Sequence, residues 1–203
     1  MNKIITISRE FGSGGRELGR RLSEQLNIAY YDREIVSEIS RRTELSEQYV
    51  EYITEQKPMS TFSIHVGRTF YMPPNPVFEM QQSVFSEQCR IIEEIAKKSD
   101  CVIIGRCADY ILQRYAPFRI FVYADMESKI VRCRQKASEK ELFTDKEIRR
   151  KIISIDENRA AYYNCCTGQK WGNVLNYNLC INTSHTEIRD IAASLAKMLR
   201  LTE

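Results

Sequence analysis

From Ser8 to Glu17 the chain reads Ser8-Arg9-Glu10-Phe11-Gly12-Ser13-Gly14-Gly15-Arg16-Glu17. Glycines at this density allow positive φ, so the loop can turn its backbone N–H groups inward, and the N-terminus of a following helix adds partial positive charge. A turn of this kind holds phosphate. Its bland counterpart is a tight strand-to-helix connection with no ligand. Gly12, Ser13, Gly14 and Gly15 are the candidate cradle, with Arg9 and Arg16 as charged contacts. The pattern G-x-x-x-x-G-K-[ST] fits in two registers. With Gly14 as its second glycine, Arg9 stands for the first glycine and Gly15 for the lysine. With Gly15 there, Arg16 stands for the lysine and Glu17 for the metal-binding hydroxyl. Arginine offers phosphate a bidentate fork rather than a point charge. Glu17 would repel a triphosphate unless a divalent cation lay between them or its side chain turned outward. The metal ligands stay unassigned.

Other candidates follow at intervals. Asp32 and Arg33, in Tyr30-Tyr31-Asp32-Arg33, offer a carboxylate and a guanidinium to a substrate; Asp32 as a helix N-cap is the alternative. In Ile103-Ile104-Gly105-Arg106, Gly105 permits close backbone approach and Arg106 is an anion contact. Asp156 and Arg159, three apart on a helix, share one face and either pair or bracket a ligand. The segment from Tyr162 to Gly172 suits base stacking, a mobile flap, or packing on the sheet. Lys129 to Lys136 and Lys146 to Arg159 contain two basic stretches, a local concentration of charge whose plain reading is solvated helix faces carrying i,i+4 ion pairs.

These residues need a scaffold, and apolar runs supply one. Strands are expected at residues 4–7, 28–31, 101–104, 119–123 and 178–181, since short continuous apolar runs indicate burial on both faces. Helical patterns fall between them, at 16–26, 33–42, 77–98, 107–114, 127–137, 144–163 and 186–199. Such alternation predicts an α/β fold, a parallel sheet with helices on both faces, whose ligands gather beyond the strands' carboxyl ends. Residues 37–99 hold no convincing strand and read as a helical insertion with a kinked connection at Met72-Pro73-Pro74-Asn75-Pro76. Residues 138–145 resemble a hinge or lid, followed by a helix with a Thr144/Glu147 capping box.

With 203 residues, 43% hydrophobic and 28% charged, the chain suits one globular domain. A net charge of +3 is too small to imply nucleic acid. No run nears the roughly 18 apolar residues that span a membrane. With no leader pattern at the N-terminus, a cytoplasmic location is expected. The seven cysteines lack C-x-x-C spacing and have only two histidines for company, so neither zinc nor a disulfide frame is expected. Cys101 and Cys180 are the clearest buried cases.

Taken in order, ITISREFGSGGREL, YYDREI, VIIGRCADYIL, RIFVYADMESKIVRC and IDENRAAYYN resemble the cytidylate kinases, in particular the cytidylate kinase-like branch of the P-loop nucleoside monophosphate kinases. The resemblance implies a P-loop NTPase-type five-stranded parallel sheet as one domain: core 1–36, 99–137 and 160–203, acceptor-binding helical insertion about 37–98, lid about 138–159. It implies transfer of a γ-phosphoryl from ATP, with Mg²⁺, to a nucleoside monophosphate, CMP or dCMP foremost. Residues 12–16 would hold donor phosphates, Asp32 would serve the acceptor side, Arg106 the acceptor phosphate, and Asp156 and Arg159 the nucleotide. Arg132, Arg134, Arg149 and Arg150 are looser donor-phosphate candidates; Arg16, Arg132, Arg149 and Arg150 form the expected catalytic set. Departures from the family pattern are the absent loop lysine, Ile104 in place of an aspartate, and Glu38 in place of an acceptor-helix arginine. A kinase for another small phosphate acceptor, or a nucleotide-binding protein without catalysis, is the alternative. The partners expected are small-molecule nucleotides.

Overall fold

The computed structural model describes residues 2–55, 65–66, 69–70, 76–137 and 143–200. Five parallel strands, β1 (Ile4–Arg9), β2 (Ala29–Tyr31), β3 (Cys101–Ile104), β4 (Phe118–Tyr123) and β5 (Leu179–Asn182), form one sheet in the order β2-β3-β1-β4-β5. β1 is buried along its whole length because it has a neighbour on each side: Ile5 pairs with Val102 of β3 and Phe118 of β4.

Side chains alternate across a strand, so each apolar run feeds two cores. Ile4, Cys101 and Ile103 pack on one face with Ile35, Ile39, Val84 and Ile92, from α2 (Arg33–Thr43) and α4 (Pro76–Lys98). Ile5, Ile7, Val102 and Ile104 pack on the other with Leu18, Leu22, Leu195 and Leu199, from α1 (Gly15–Leu26) and α8 (Ile188–Arg200). α3 (Glu47–Glu55) and the short α5 (Ala108–Ile111) join the first face. Near the carboxyl end of the sheet, α6 (Met126–Lys136) and α7 (Asp145–Thr167) pack through Ile130, Ile148 and Ile152.

The five expected strands and the helix-covered parallel sheet are present. The capping box also forms: Thr144 Oγ1 accepts from the Glu147 N–H, and the Glu147 carboxylate accepts from the Thr144 N–H at 2.8 Å. Residues 37–99 also carry a minimal antiparallel hairpin, His65–Val66 against Thr69–Phe70, with strands too short for any periodic signal. Three expectations need correction. The helix expected at 107–114 breaks into α5 and a 3₁₀ turn at Gln113–Tyr115. α7 runs past Tyr163 to Thr167 and stops only where Gly168 takes the left-handed conformation, φ 67°. Cys180 is only partly buried, since β5 is an edge strand. Most of the proline cluster, 72–75, and lid residues 138–142 lie outside the described residues.

Candidate phosphate-transfer site

All five strands point their carboxyl ends the same way, so the residues that follow them converge: the glycine loop after β1, Asp32 after β2, Gly105-Arg106 after β3, Asp125 after β4 and Thr183 after β5. Two loop glycines adopt backbone that other residues resist, Gly12 at φ 76° and Gly14 at φ 82°, and Gly14 is the N-cap of α1. Ser13 is fully buried. Its hydroxyl donates to the Glu10 carbonyl at 2.8 Å, and its own carbonyl accepts from Thr183 Oγ1 at 2.7 Å. Arg132 sits across that junction, donating to Ser13 O at 3.4 Å, to Thr183 Oγ1 at 3.1 Å and to the Thr183 carbonyl. Arg132 thereby pins the loop to the segment after β5 while one side lines the cavity described below.

Behind the loop is a buried ion triad that the sequence reading missed. Lys129 is 5% exposed, with its ammonium 2.6 Å from Glu10 Oε2 and 3.2 Å from Asp156 Oδ2. The other Asp156 oxygen accepts the Phe11 backbone N–H at 2.6 Å. Burial pushes the Asp156 carboxyl up, opposed by that N–H and by the Lys129 charge. Lys129 falls on the stripe of α6 that also carries Met126, Ile130 and Cys133, all packed against α7 or the loop. That helical position was the available signal. Its two partners, far away in sequence, were not visible.

Arg16 and Asp32 meet at the other edge of the loop as an ion pair, through Arg16 Nε and more loosely through Nη2 at 3.5 Å. Asp32 occupies the N-cap position of α2, yet its side chain makes no capping bond. Glu17 turns outward to Arg21, 2.9 Å away, and to Lys136 at 3.8 Å. Arg33 is exposed and shares a shallow recess with Arg16, Glu17, Tyr30 and Asp32. Burial, then the Asp32 charge, lifts the Tyr30 hydroxyl to about 12.

A cavity of about 780 Å³ opens above the loop, walled by Arg9, Glu10, Gly12, Gly14, Gly15, Arg16, Arg132 and Arg134, and on the α7 side by Glu147, Ile148, Lys151 and Arg159. Arg149 and Arg150 are exposed outside that wall, because the helical turn presents residues 147, 148 and 151 instead. Arg134 pairs with Asp145 at 2.6 Å. A second pocket of about 40 Å³ lies beside Gly105 and Arg106. Arg106 donates to the buried Thr54 Oγ1, and its carbonyl accepts from Gln88 Nε2 at 2.9 Å. Arg159 approaches Asp156 at 3.8 Å, donates to the Arg9 carbonyl at 3.4 Å and lies 5.7 Å from the Phe11 ring centre. Arg9 and Arg159 line both hollows.

The aromatic segment near the end of α7 packs rather than flaps. Tyr162 and Tyr163 are buried, Tyr163 donates to the buried Asp109 carboxylate at 2.7 Å, and Trp171 meets Phe121 of β4 edge-on at 5.4 Å. Among the described residues no cluster of three histidine, cysteine or acidic side chains is arranged to hold a metal, and no helix is long and apolar enough to cross a membrane.

A glycine loop on the central strand of a parallel sheet ordered β2-β3-β1-β4-β5, with cationic side chains converging at the carboxyl edge, is the fold of the P-loop kinases. Sequence comparison then makes the assignment specific: the chain belongs to the cytidylate kinase-like family, which matches residues 4–185. Among solved structures it is similar to an uncharacterized protein from Eubacterium ventriosum, at 23% identity over 98% of both chains with a TM-score of 0.67. Shikimate kinase from Bacteroides thetaiotaomicron matches at 15% identity over 98% of this chain and 99% of its own, TM-score 0.58. Shikimate kinase from Acinetobacter baumannii, in complex with shikimate, matches at 14% identity over 100% and 96%, TM-score 0.54. At these identities the likeness is one of fold. No curated protein matches the sequence.

Proposed function

We propose that the protein transfers the γ-phosphoryl group of ATP to a nucleoside monophosphate, with CMP or dCMP the foremost acceptors. The observation that carries this reading is that Arg9 and Arg159 line both the large cavity over the glycine loop and the small pocket at Arg106. A donor in the first and an acceptor phosphate in the second would meet at two guanidinium groups. Phosphoryl transfer needs alignment and compensation of charge on the moving group more than it needs a nucleophilic side chain. The loop amides and Arg16 would hold the donor, while Arg106 and Arg159 would hold the acceptor phosphate. Asp32, released from Arg16 as phosphate arrives, would face acceptor hydroxyls. Arg149 and Arg150 would reach the donor only through movement of the outer part of the proposed lid, 138–159, whose inner end is tied to the loop through Asp156 and Arg159.

Mg²⁺ fits this site in one respect. It commonly takes one or two carboxylates beside substrate phosphates and water, and Glu10 is a carboxylate on the cavity wall, with its Oε2 already 2.6 Å from the Lys129 ammonium. Glu17, turned away to Arg21, does not fit that role. Bound there, the ion would neutralise charge on the donor phosphates.

A second reading, a kinase for another small phosphate acceptor, is favoured by Ile104. Where the cytidylate kinases carry an aspartate, this side chain is fully buried in the core beside Leu18 and Leu22. ADP release coupled to a spectrophotometric readout, with ATP and Mg²⁺ across CMP, dCMP, UMP, AMP and GMP and a no-acceptor control, tests both. Turnover led by CMP or dCMP supports the first reading. Silence across the panel overturns it, and intact ATP binding then leaves another acceptor or a non-catalytic binding protein.

A further inference from the structure

We propose that Arg9 replaces the missing loop lysine, its side chain occupying the space in which that lysine would begin, so that Arg9 and Gly15 are a compensating swap. The inference rests on the donor site proposed above and deepens it. It gives the lysine's part in holding the donor phosphates to the first motif position, with Arg16 a further contact at the rim.

Arg9 is the last residue of β1 and lies on the same face as Ile5 and Ile7, the face toward α1. Its side chain passes directly against Gly15. A Cβ added at Gly15 would lie 2.5 Å from Arg9 Cβ, 3.1 Å from Arg9 Cγ and 3.3 Å from Val122 Cβ. Gly15 opens α1 and is absent from the positive-φ glycines, so its backbone suits any residue. Arg9 is what forbids a side chain there. The far end of Arg9 lies on a second glycine from another segment: a Cβ at Gly105 would fall on Arg9 Nη1 and 3.0 Å from Cζ. Two glycines, one in the loop and one after β3, therefore bound a lane that carries a guanidinium to the boundary between the two hollows. Arg16, in contrast, points to Asp32 at the rim. A lysine at 15 and an arginine at 9 exclude one another sterically, and the chain has taken the second solution.

The test is a cycle of variants, R9G, G15K and R9G/G15K, with ATP binding measured by calorimetry and folding checked by near-ultraviolet circular dichroism. R9G removes a charged phosphate contact and should lose about 10- to 100-fold in ATP affinity. G15K, with both side chains forced into one space, should lose at least as much. The double variant should return to within about fivefold of the parent, a strong coupling between touching residues. Additive losses in the double variant, or parental affinity in R9G, would overturn the swap. G15A guards against a misfolded R9G: one methyl should displace Arg9 and weaken ATP at least tenfold, and unchanged binding refutes the idea. ATP binding that follows the cycle without turnover on any acceptor would overturn the kinase reading alone. Turnover with R9G at parental affinity would overturn the swap alone, and absence of ATP binding in the parent would overturn both.

Discussion

Replacing Lys129 by methionine preserves much of the side-chain length but strips the charge from between Glu10 and Asp156. Removing one partner of a buried ion pair costs about 3–5 kcal/mol, because the remaining charge stays desolvated. Here the carboxylates are not sealed: the Glu10 side chain is 26% exposed, the Asp156 side chain 15%, and Asp156 keeps the Phe11 N–H. The lower end, about 3 kcal/mol, is therefore expected. At about 2–4 °C per kcal/mol for a chain of this size, Tm should fall by about 6–12 °C. The loss should also depend on pH, with a definite sign. Burial already holds the Asp156 carboxyl above its ordinary value, and Lys129 is among the groups opposing that rise. Without Lys129 it rises further. A carboxyl whose folded-state pKa lies above its unfolded one contributes stability at low pH and loses it as pH climbs through the folded value. Relative to the parent, K129M should thus be weakest near neutral pH and recover as pH is lowered through the folded-state value of the Asp156 carboxyl. Urea unfolding across a pH series from neutral into the acid range reads both quantities. A loss below about 1 kcal/mol at neutral pH, or a loss that grows as the pH is lowered, would refute the account of a charge-bearing brace behind the loop.

Thr183→Val leaves the buried Ser13 carbonyl without its 2.7 Å donor and should lower stability by about 1–3 kcal/mol in thermal melts, with Arg132 supplying partial cover. Gly12→Ala should weaken ATP binding more than tenfold, because its added methyl would sit 3.1 Å from the Lys129 carbonyl at φ 76°; Gly168→Ala, at φ 67° in open space, should bind ATP normally and lose only about 1 kcal/mol of stability. Asp32→Asn removes a half-exposed ion pair that holds Arg16 away from the loop. ATP affinity should rise severalfold in calorimetry while acceptor KM increases, and a fall in ATP affinity would contradict the competition between Asp32 and phosphate.

Features written within a few adjacent residues were legible in the chain. The apolar runs of β1 and β3 announced a sheet buried on both faces, Gly12 to Gly15 announced the turn, and Thr144 with Glu147 announced the start of α7 to the residue. Features assembled from distant segments were not. Lys129 reads as one more cation on a helix until Glu10 and Asp156 close around it. Asp32 carries a helix-cap signature, yet the tertiary pairing with Arg16 outcompetes the local bond. The family resemblance implied a donor-phosphate role for the basic pair Arg149-Arg150, whereas the register of α7 puts Lys151 at the cavity wall. The two registers of the glycine motif look alike in the chain, because the volume that Arg9 fills beside Gly15, on which the proposed choice between them rests, is set by the tertiary packing.

The place of β1 in the sheet also sets a timetable for biosynthesis. This strand leaves the ribosome well ahead of its sheet neighbours, so Ile4 must wait for Cys101 and Ile5 for Phe118 before either edge is satisfied. At roughly 5–20 residues per second of elongation, the wait lasts on the order of 5–20 s. Throughout it the Ile4-Ile5-Thr6-Ile7 segment has helices α1 and α2 to pack on but no strand to pair with on either edge. The glycine-loop end of β1 is thus synthesised well before the strands that complete it and is among the last parts to take shape. Nascent chains stalled before Cys101 should be far more prone to capture by chaperones than those stalled after Tyr123.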